Sequence, residues 1–140
     1  MPQAMATEIE RQCETIESCY EFTLSYAARG LAGDDGSDAD RQVREHLTRA
    51  AEAMRGLKGS CAEALEQEQL APAEKYEAFF EVLKRDAEGA IAAVELALAQ
   101  AAIGSQMIDN LNASIHLRAL LADLFLVTEI LDARQTPAKT

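Results

Sequence analysis

The side chains best placed for chemistry lie in the last hydrophobic segment of the chain. His116 has an amide, Asn112, one helical turn before it and a carboxylate, Asp123, two turns after it. On a helix these three residues share one polar edge. An imidazole beside a carboxylate is the arrangement of a general base and the group that orients it. The edge of an amphipathic helix carries the same residue types for solvation alone, so the spacing predicts a candidate polar site without naming a reaction.

Histidines and carboxylates also supply metal ligands, but their spacing here does not fit a metal centre in a helical bundle. Such a centre needs Glu-x-x-His pairs on facing helices. Val43 stands three residues before His46, and Ala113 stands three residues before His116. The four glutamates between positions 10 and 21 form a ridge typical of a solvated helix face. We therefore predict no metal ion, no cofactor and no catalytic residue.

Residues 55–60, with the sequence RGLKGS, resemble the helix that carries the phosphorylated histidine in histidine phosphotransfer domains. The run Leu57-Lys58-Gly59-Ser60 matches the residues that follow the family's histidine, whereas Arg55 occupies the histidine position. The family consists of four-helix bundles of similar size. Because the phosphate acceptor is missing, the resemblance implies a degenerate module that docks a receiver domain without accepting phosphate.

Charge and cysteine content exclude several classes of function. The formal net charge of −11 argues against binding to nucleic acid or to an anionic membrane surface. Arg118, Asp123 and Glu129 interrupt the most apolar segment, which is therefore not expected to span a bilayer. The three cysteines have no paired spacing, so we expect reduced thiols. No secretory signal is recognisable at the start, and the cytoplasm is the expected location.

Hydrophobic residues recur every three or four positions along most of the chain, and this period predicts helices. The composition is 49% hydrophobic and 26% charged, which suits one globular domain over residues 1–140. We predict four helices, at about 7–29, 38–66, 72–102 and 105–133, followed by a flexible tail at 134–140. The links are short, so the expected fold is an all-α, antiparallel up-and-down four-helix bundle.

The last predicted helix has apolar residues on two opposite sides. One stripe was expected to face the core, and it comprises Ile108, Leu111, Ile115, Ala119, Ala122, Leu126 and Ile130. The second stripe comprises Asn110, Ser114, Leu117, Leu121, Leu124, Thr128 and Leu131. A helix that is apolar on both sides must be covered on both sides.

We therefore predict a homodimer across the third and fourth helices, whose backs are both apolar. The predicted interface residues are Val82, Ala93, Leu96, Leu117, Leu121, Leu124, Thr128 and Leu131. Arg118 and Glu129 border the stripe and are candidates to pair with their copies across a twofold axis. The alternative is that the last helix lies deep between two neighbours of its own bundle.

The function predicted from the sequence is non-enzymatic and depends on protein–protein contacts, first with a second copy and then with an unidentified partner protein. Two alternatives stay open. One is a bundle enzyme that binds a small ligand or a metal, and the other is the degenerate phosphotransfer-like docking module.

Overall fold

The chain is helical throughout residues 3–135, apart from its links, and this is the part that the computed structural model describes. Five helices follow one another: α1 (Gln3–Ala28), α2 (Asp38–Gln67), α3 (Ala73–Leu98), α4 (Ser105–Ala113) and α5 (Ile115–Gln135). The all-α prediction is confirmed for the described residues. α1, α2 and α3 correspond to the first three predicted helices, with ends that differ by about four residues at most.

The last predicted helix, 105–133, is divided in two, so the prediction of a four-helix bundle is wrong in its number of helices. Ser114 separates α4 from α5 with an extended backbone, at φ −59° and ψ 131°. Its hydroxyl accepts a hydrogen bond from the backbone N–H of His116 at 3.3 Å, which caps the start of α5.

The end of α5 also differs from the prediction of a flexible tail at 134–140. α5 continues to Gln135, and the guanidinium of Arg134 donates to the backbone carbonyl of Glu68 at 3.3 Å. Residues 136–140 lie outside the described residues.

The break at Ser114 changes which face of the last segment is buried. Before the break, Ile108 and Leu111 of the first stripe lie in the core. After it, the second stripe is buried instead, at Leu117, Leu121, Leu124 and Leu131. The expectation that the first stripe faces the core is therefore wrong for α5, where Ile115, Leu126 and Ile130 are 73%, 50% and 38% exposed.

α4 and α5 occupy different places in the bundle. α4 packs mainly against α1, whereas α5 packs against both α3 and α1. A single cluster of buried side chains contains residues from all five helices. The burial of α5 between α1 and α3 leaves one long side of this helix facing outward.

Hydrogen bonds at one end of the bundle join the link before α2 to the link before α4. The Tyr26 hydroxyl donates to the backbone carbonyl of Ile103 at 2.6 Å. The Ser105 hydroxyl donates to the Tyr26 carbonyl at 2.6 Å and accepts from the Leu31 N–H at 2.8 Å. The backbone of Ser105 donates to the Leu31 carbonyl at 2.8 Å. These bonds satisfy polar groups that the links would otherwise leave buried and unpaired.

Arg44 on α2 completes this connection. The last carbonyls of a helix have no partner within the helix. The Arg44 guanidinium donates to the carbonyls of Leu98 at 2.9 Å, Gln100 at 2.6 Å and Ala101 at 3.1 Å. Its Nε donates to the buried carboxylate of Asp40 at 2.9 Å. One side chain therefore ties the end of α3 to the start of α2.

The protonation of Asp40 follows from these contacts. Burial of the carboxyl raises its pKa, but the hydrogen bonds from Arg44 and the Gly36 N–H, with the Arg44 charge, outweigh burial and lower the pKa below its ordinary value. Asp40 is therefore ionised in the folded protein at neutral pH. Removal of Arg44 would leave that charge buried without a cation.

We expect Arg44→Ala to lower the free energy of unfolding by about 2–4 kcal/mol, because it strips a buried carboxylate and several carbonyls of their donor. Urea unfolding followed by circular dichroism measures the change. Arg49→Ala is the matched control, because Arg49 is exposed on the same helix and pairs only with Glu45 at 3.4 Å. The control should change the free energy by less than about 0.5 kcal/mol, and an equal loss in both variants would contradict the role given to Arg44.

Candidate functional site

Two aspartates face each other where α3 and α5 pack together. Asp86 comes from α3 and Asp123 from α5, and both side chains are partly buried. The Oδ2 atom of Asp123 is buried and meets no hydrogen-bond donor when both carboxylates are ionised. A proton on either carboxyl supplies the missing donor and allows a hydrogen bond between Asp86 and Asp123.

This environment raises the pKa of the Asp123 carboxyl to about 7. Loss of water around the carboxyl is the largest cause, followed by the hydrogen bond with Asp86 and the negative charge of Asp86. The Asp123 carboxyl, with Asp86 beside it, therefore takes up and releases a proton near neutral pH.

His116 lies beside the same seam between α3 and α5, at the start of α5. A Cβ atom placed on Gly89 of α3 would lie 2.8 Å from its Nδ1 atom, so the imidazole lies directly against α3 at this glycine. Two of the three residues of the predicted polar site, His116 and Asp123, therefore lie toward α3, two helical turns apart along α5.

Asn112, the third residue of that prediction, faces α1 instead. Its Oδ1 atom accepts a hydrogen bond from the Thr23 hydroxyl at 2.8 Å, and both side chains are buried. The Nδ2 atom of Asn112 is buried and has no partner among the described residues. The break at Ser114 causes the separation, because Asn112 belongs to α4 and His116 to α5.

Sequence reasoning missed Asp86. A signal was available, because Asp86 falls between Val82 and Gly89 in the small and apolar row along the back of helix 3. A carboxylate in an otherwise apolar row indicates a polar partner on the neighbouring helix. The sequence alone does not say which helix supplies that partner.

The residues predicted as a dimer interface divide into three groups in the structure. Leu117, Leu121, Leu124 and Leu131 lie in the core of the single chain. Ala93 and Thr128 are partly buried. Val82 and Leu96 are exposed, the latter to 68%. The four leucines of α5 are therefore covered by the chain itself.

The opposite side of α5 carries a row of apolar residues, exposed apart from the partly buried Ala119, that we call the outer α5 face. It consists of Ile115, Ala119, Ala122, Leu126 and Ile130. Phe125, also exposed, extends it toward α1, where Leu24 and Phe125 line a groove of about 430 Å³. Arg118 and Glu129 lie on the α1 edge of this face, because both line grooves between α1 and α5.

Carboxylates from α1 and α5 meet along part of the same edge. A groove of about 330 Å³ is lined by Glu10, Cys13, Glu14, Glu17, Phe125, Thr128, Glu129 and Asp132. Within residues 3–135, no three His, Cys, Asp or Glu side chains are arranged to hold a metal ion. This edge of α5 is therefore acidic, apart from Arg118.

All three cysteines, Cys13, Cys19 and Cys61, are buried. Burial raises the pKa of Cys19 and of Cys61 to about 12. Burial and then the charges of nearby glutamates raise the pKa of Cys13 to about 11. The cysteines are therefore protonated at neutral pH and pack as small hydrophobic side chains.

The segment that resembles a phosphotransfer helix lies on α2. Arg55, at the position of the acceptor histidine, is exposed and pairs with Glu95 on α3.

Comparisons of the chain with protein-family models, with curated proteins and with solved structures give no match. Among the helices of residues 3–135, none is long and apolar enough to cross a bilayer.

We expect Asp123→Asn to change how stability depends on pH. The folded pKa of Asp123 lies above its unfolded value of about 3.9, so its contribution is complete below that value and is lost as the pH rises through about 7. Relative to the native protein, the variant should therefore gain about 1–2 kcal/mol between pH 4 and pH 8, a range that allows for partial solvent screening.

Chemical unfolding at several pH values measures this gain. Asp109→Asn is the control, because it removes the same charge from an exposed position on α4. A difference between Asp123→Asn and the native protein that stays constant from pH 4 to pH 8 would contradict the shared proton.

Proposed function

We propose that the protein is non-enzymatic and acts through protein–protein contacts, and that it forms a homodimer through the outer α5 face. The observation that carries this proposal is the exposed apolar row on α5. Its members recur every three or four residues from Ile115 to Ile130, a length of about 22 Å at 1.5 Å per residue. An uninterrupted apolar row of this length is typical of a helix that packs against another helix.

The size of the exposed surface supports association. Together with Phe125 and Leu24, the outer α5 face forms an exposed apolar surface of roughly several hundred Å². This is at the upper limit for the apolar patches that monomers expose. The contact is nevertheless small, because one helix face packed on its copy buries on the order of 1,000 Å² in total. We therefore expect a reversible dimer with a dissociation constant in the micromolar range, near 10⁻⁶–10⁻⁵ M.

One opposite-charge pair on the otherwise acidic α1 edge, Arg118 and Glu129, supports a second copy of this chain as the occupant. Arg118 and Glu129 make no ion pair within residues 3–135 and lie on either side of the middle of the outer α5 face, with their own midpoint between residues 123 and 124. In an antiparallel twofold dimer, the same edge of each helix faces its counterpart. Arg118 of each copy then lies opposite Glu129 of the other, and two ion pairs set the register.

The proposal includes a cytoplasmic location and excludes nucleic acid as a partner. The three buried, protonated thiols suit a reducing compartment. The net charge of −11 opposes binding to phosphate backbones. A further partner protein remains part of the proposal, because the exposed Leu96 on α3 lies away from the outer α5 face and beside a groove between α3 and α4.

We expect light scattering on a sizing column at about 100 μM to give a mass near twice 15.2 kDa for the native chain. Leu126→Glu with Ile130→Glu should give a folded monomer, because two charges would be buried in the contact without partners. Leu96→Glu is the control, since it adds a charge at an exposed leucine outside the outer α5 face. A native monomer would overturn the proposal, and loss of the dimer in Leu96→Glu alone would place the contact on α3.

The register can be tested in the same measurement. Arg118→Glu places like charges opposite each other and should weaken the dimer about tenfold or more, since two sites change at once. Adding Glu129→Arg to this variant reverses both charges and should restore the dimer. If the double variant stays as weak as Arg118→Glu, the antiparallel register is wrong.

A further inference from the structure

The Asp86 and Asp123 pair lies at the edge of the outer α5 face that is opposite to Arg118 and Glu129. On a helix, Asp123 is about 60° from the centre line of this face, on the side that packs against α3. We propose that the dimer formed through the outer α5 face is linked to proton uptake by the Asp86 and Asp123 pair, so that the protein associates more tightly at acidic pH. This inference rests on the proposed self-association.

Asp123 lies at the middle of the outer α5 face, which runs from Ile115 to Ile130. The register that places Arg118 opposite Glu129 of the second copy also has its twofold axis at about residues 123 and 124. In that register the Asp123 side chains of the two copies approach each other on the α3 edge, close to the axis.

The approach of the two Asp123 side chains would bring carboxyl groups close together. In the single chain, Asp123 and Asp86 already crowd two carboxyls into one partly buried seam, where Oδ2 of Asp123 needs a donor. The dimer removes more water and brings a second such pair near the first. Both changes disfavour ionised carboxyls and favour the protonated form. By linkage, the dimer binds more protons than two monomers, and a lower pH strengthens association.

Among the described side chains, the other charged groups around α5 do not place a cation beside Asp123 that would cancel this effect. From α3, Asp86 is the titratable group that faces Asp123. On α5 itself, His116 lies two turns before Asp123, and Arg118 and Glu129 occupy the opposite edge. From α1, the groups that face α5 line the same opposite edge, and they are Glu10, Glu14, Glu17 and Glu21. From α4, Asp109 is exposed to solvent.

The experiment measures the dimer dissociation constant of the full chain by sedimentation equilibrium at pH 5.5 and pH 8.0, at one ionic strength. For two protons and a change of about one pK unit each on association, the native constant should be roughly ten- to a hundredfold lower at pH 5.5. Asp123→Asn keeps the size and polarity of the side chain and removes its proton. This variant should dimerise with a constant that changes by less than about threefold between the two pH values.

His116→Gln is the matched control, because histidines ordinarily titrate in the same pH range. It should keep the native dependence on pH. If His116→Gln abolishes the dependence and Asp123→Asn retains it, the linked proton is on the imidazole and the inference is wrong. A native dimer with the same constant at both pH values would also overturn it, while leaving the proposed self-association intact. A folded native monomer at both pH values would overturn the proposed function and this inference together.

Discussion

The break in the helix at Ser114 is the constraint on which the surface of the molecule depends. If one straight helix continued from Ile108 and Leu111, both buried, the same stripe would bring Ile115, Ala119 and Ala122 into the core. The extended backbone of Ser114 allows α5 to turn a different face inward. That face supplies leucines, which contribute about 1.5–3 kcal/mol each on full burial, where the first stripe supplies two alanines. The break therefore buries four leucines in place of a stripe in which two of five residues are alanines, and it leaves that first stripe outside.

The first three helices could be predicted because each has one apolar face and recognisable ends. Ser37 is of a residue type preferred at N-caps, and its hydroxyl accepts from the Asp40 N–H at 3.1 Å at the start of α2. Gly30 follows α1 and has the positive φ, 68°, that glycine adopts readily. At such positions the local sequence and the fold agree. Periodicity is then enough to place the element and its buried face.

The last helix was mispredicted because two stripes of similar strength left its phase undetermined. A signal for the break was present in the polar run Asn110, Asn112 and Ser114, since these residue types favour caps over helix interiors. The buried bond between Thr23 and Asn112 shows why that run is not simply exposed. One residue anchors α4 to α1, and the helix then breaks two residues later. The three- and four-residue spacing of apolar side chains does not reveal such a buried polar contact.

Other contacts could not be predicted because they join residues that are far apart in the sequence. The Tyr26 hydroxyl and the Arg44 guanidinium donate to backbone carbonyls at the end of α3 and in the link that follows it. Every residue has a backbone carbonyl, so the sequence does not show which ones accept these bonds. The close approach of Gly33 and Gly104 belongs to the same end of the bundle, where a Cβ on Gly104 would lie 2.7 Å from the Ala32 carbonyl. The sequence shows glycines in both links, but it does not show that the links touch.

The two edges of the outer α5 face differ in how their charged residues are paired. One edge has residues of opposite charge and the other has two aspartates, because α5 packs against α1 on one side and α3 on the other. On the α1 edge, Arg118 and Glu129 carry opposite charges, which would attract across the twofold axis of the proposed dimer. On the α3 edge, Asp86 and Asp123 hold a like pair whose crowding favours a shared proton. Salt screens the exposed pairs of the first edge, whereas the proton changes the partly buried pair of the second. In the proposed dimer, ionic strength and pH would therefore act on separate edges of one helix, and their effects on association would be separable in the same protein.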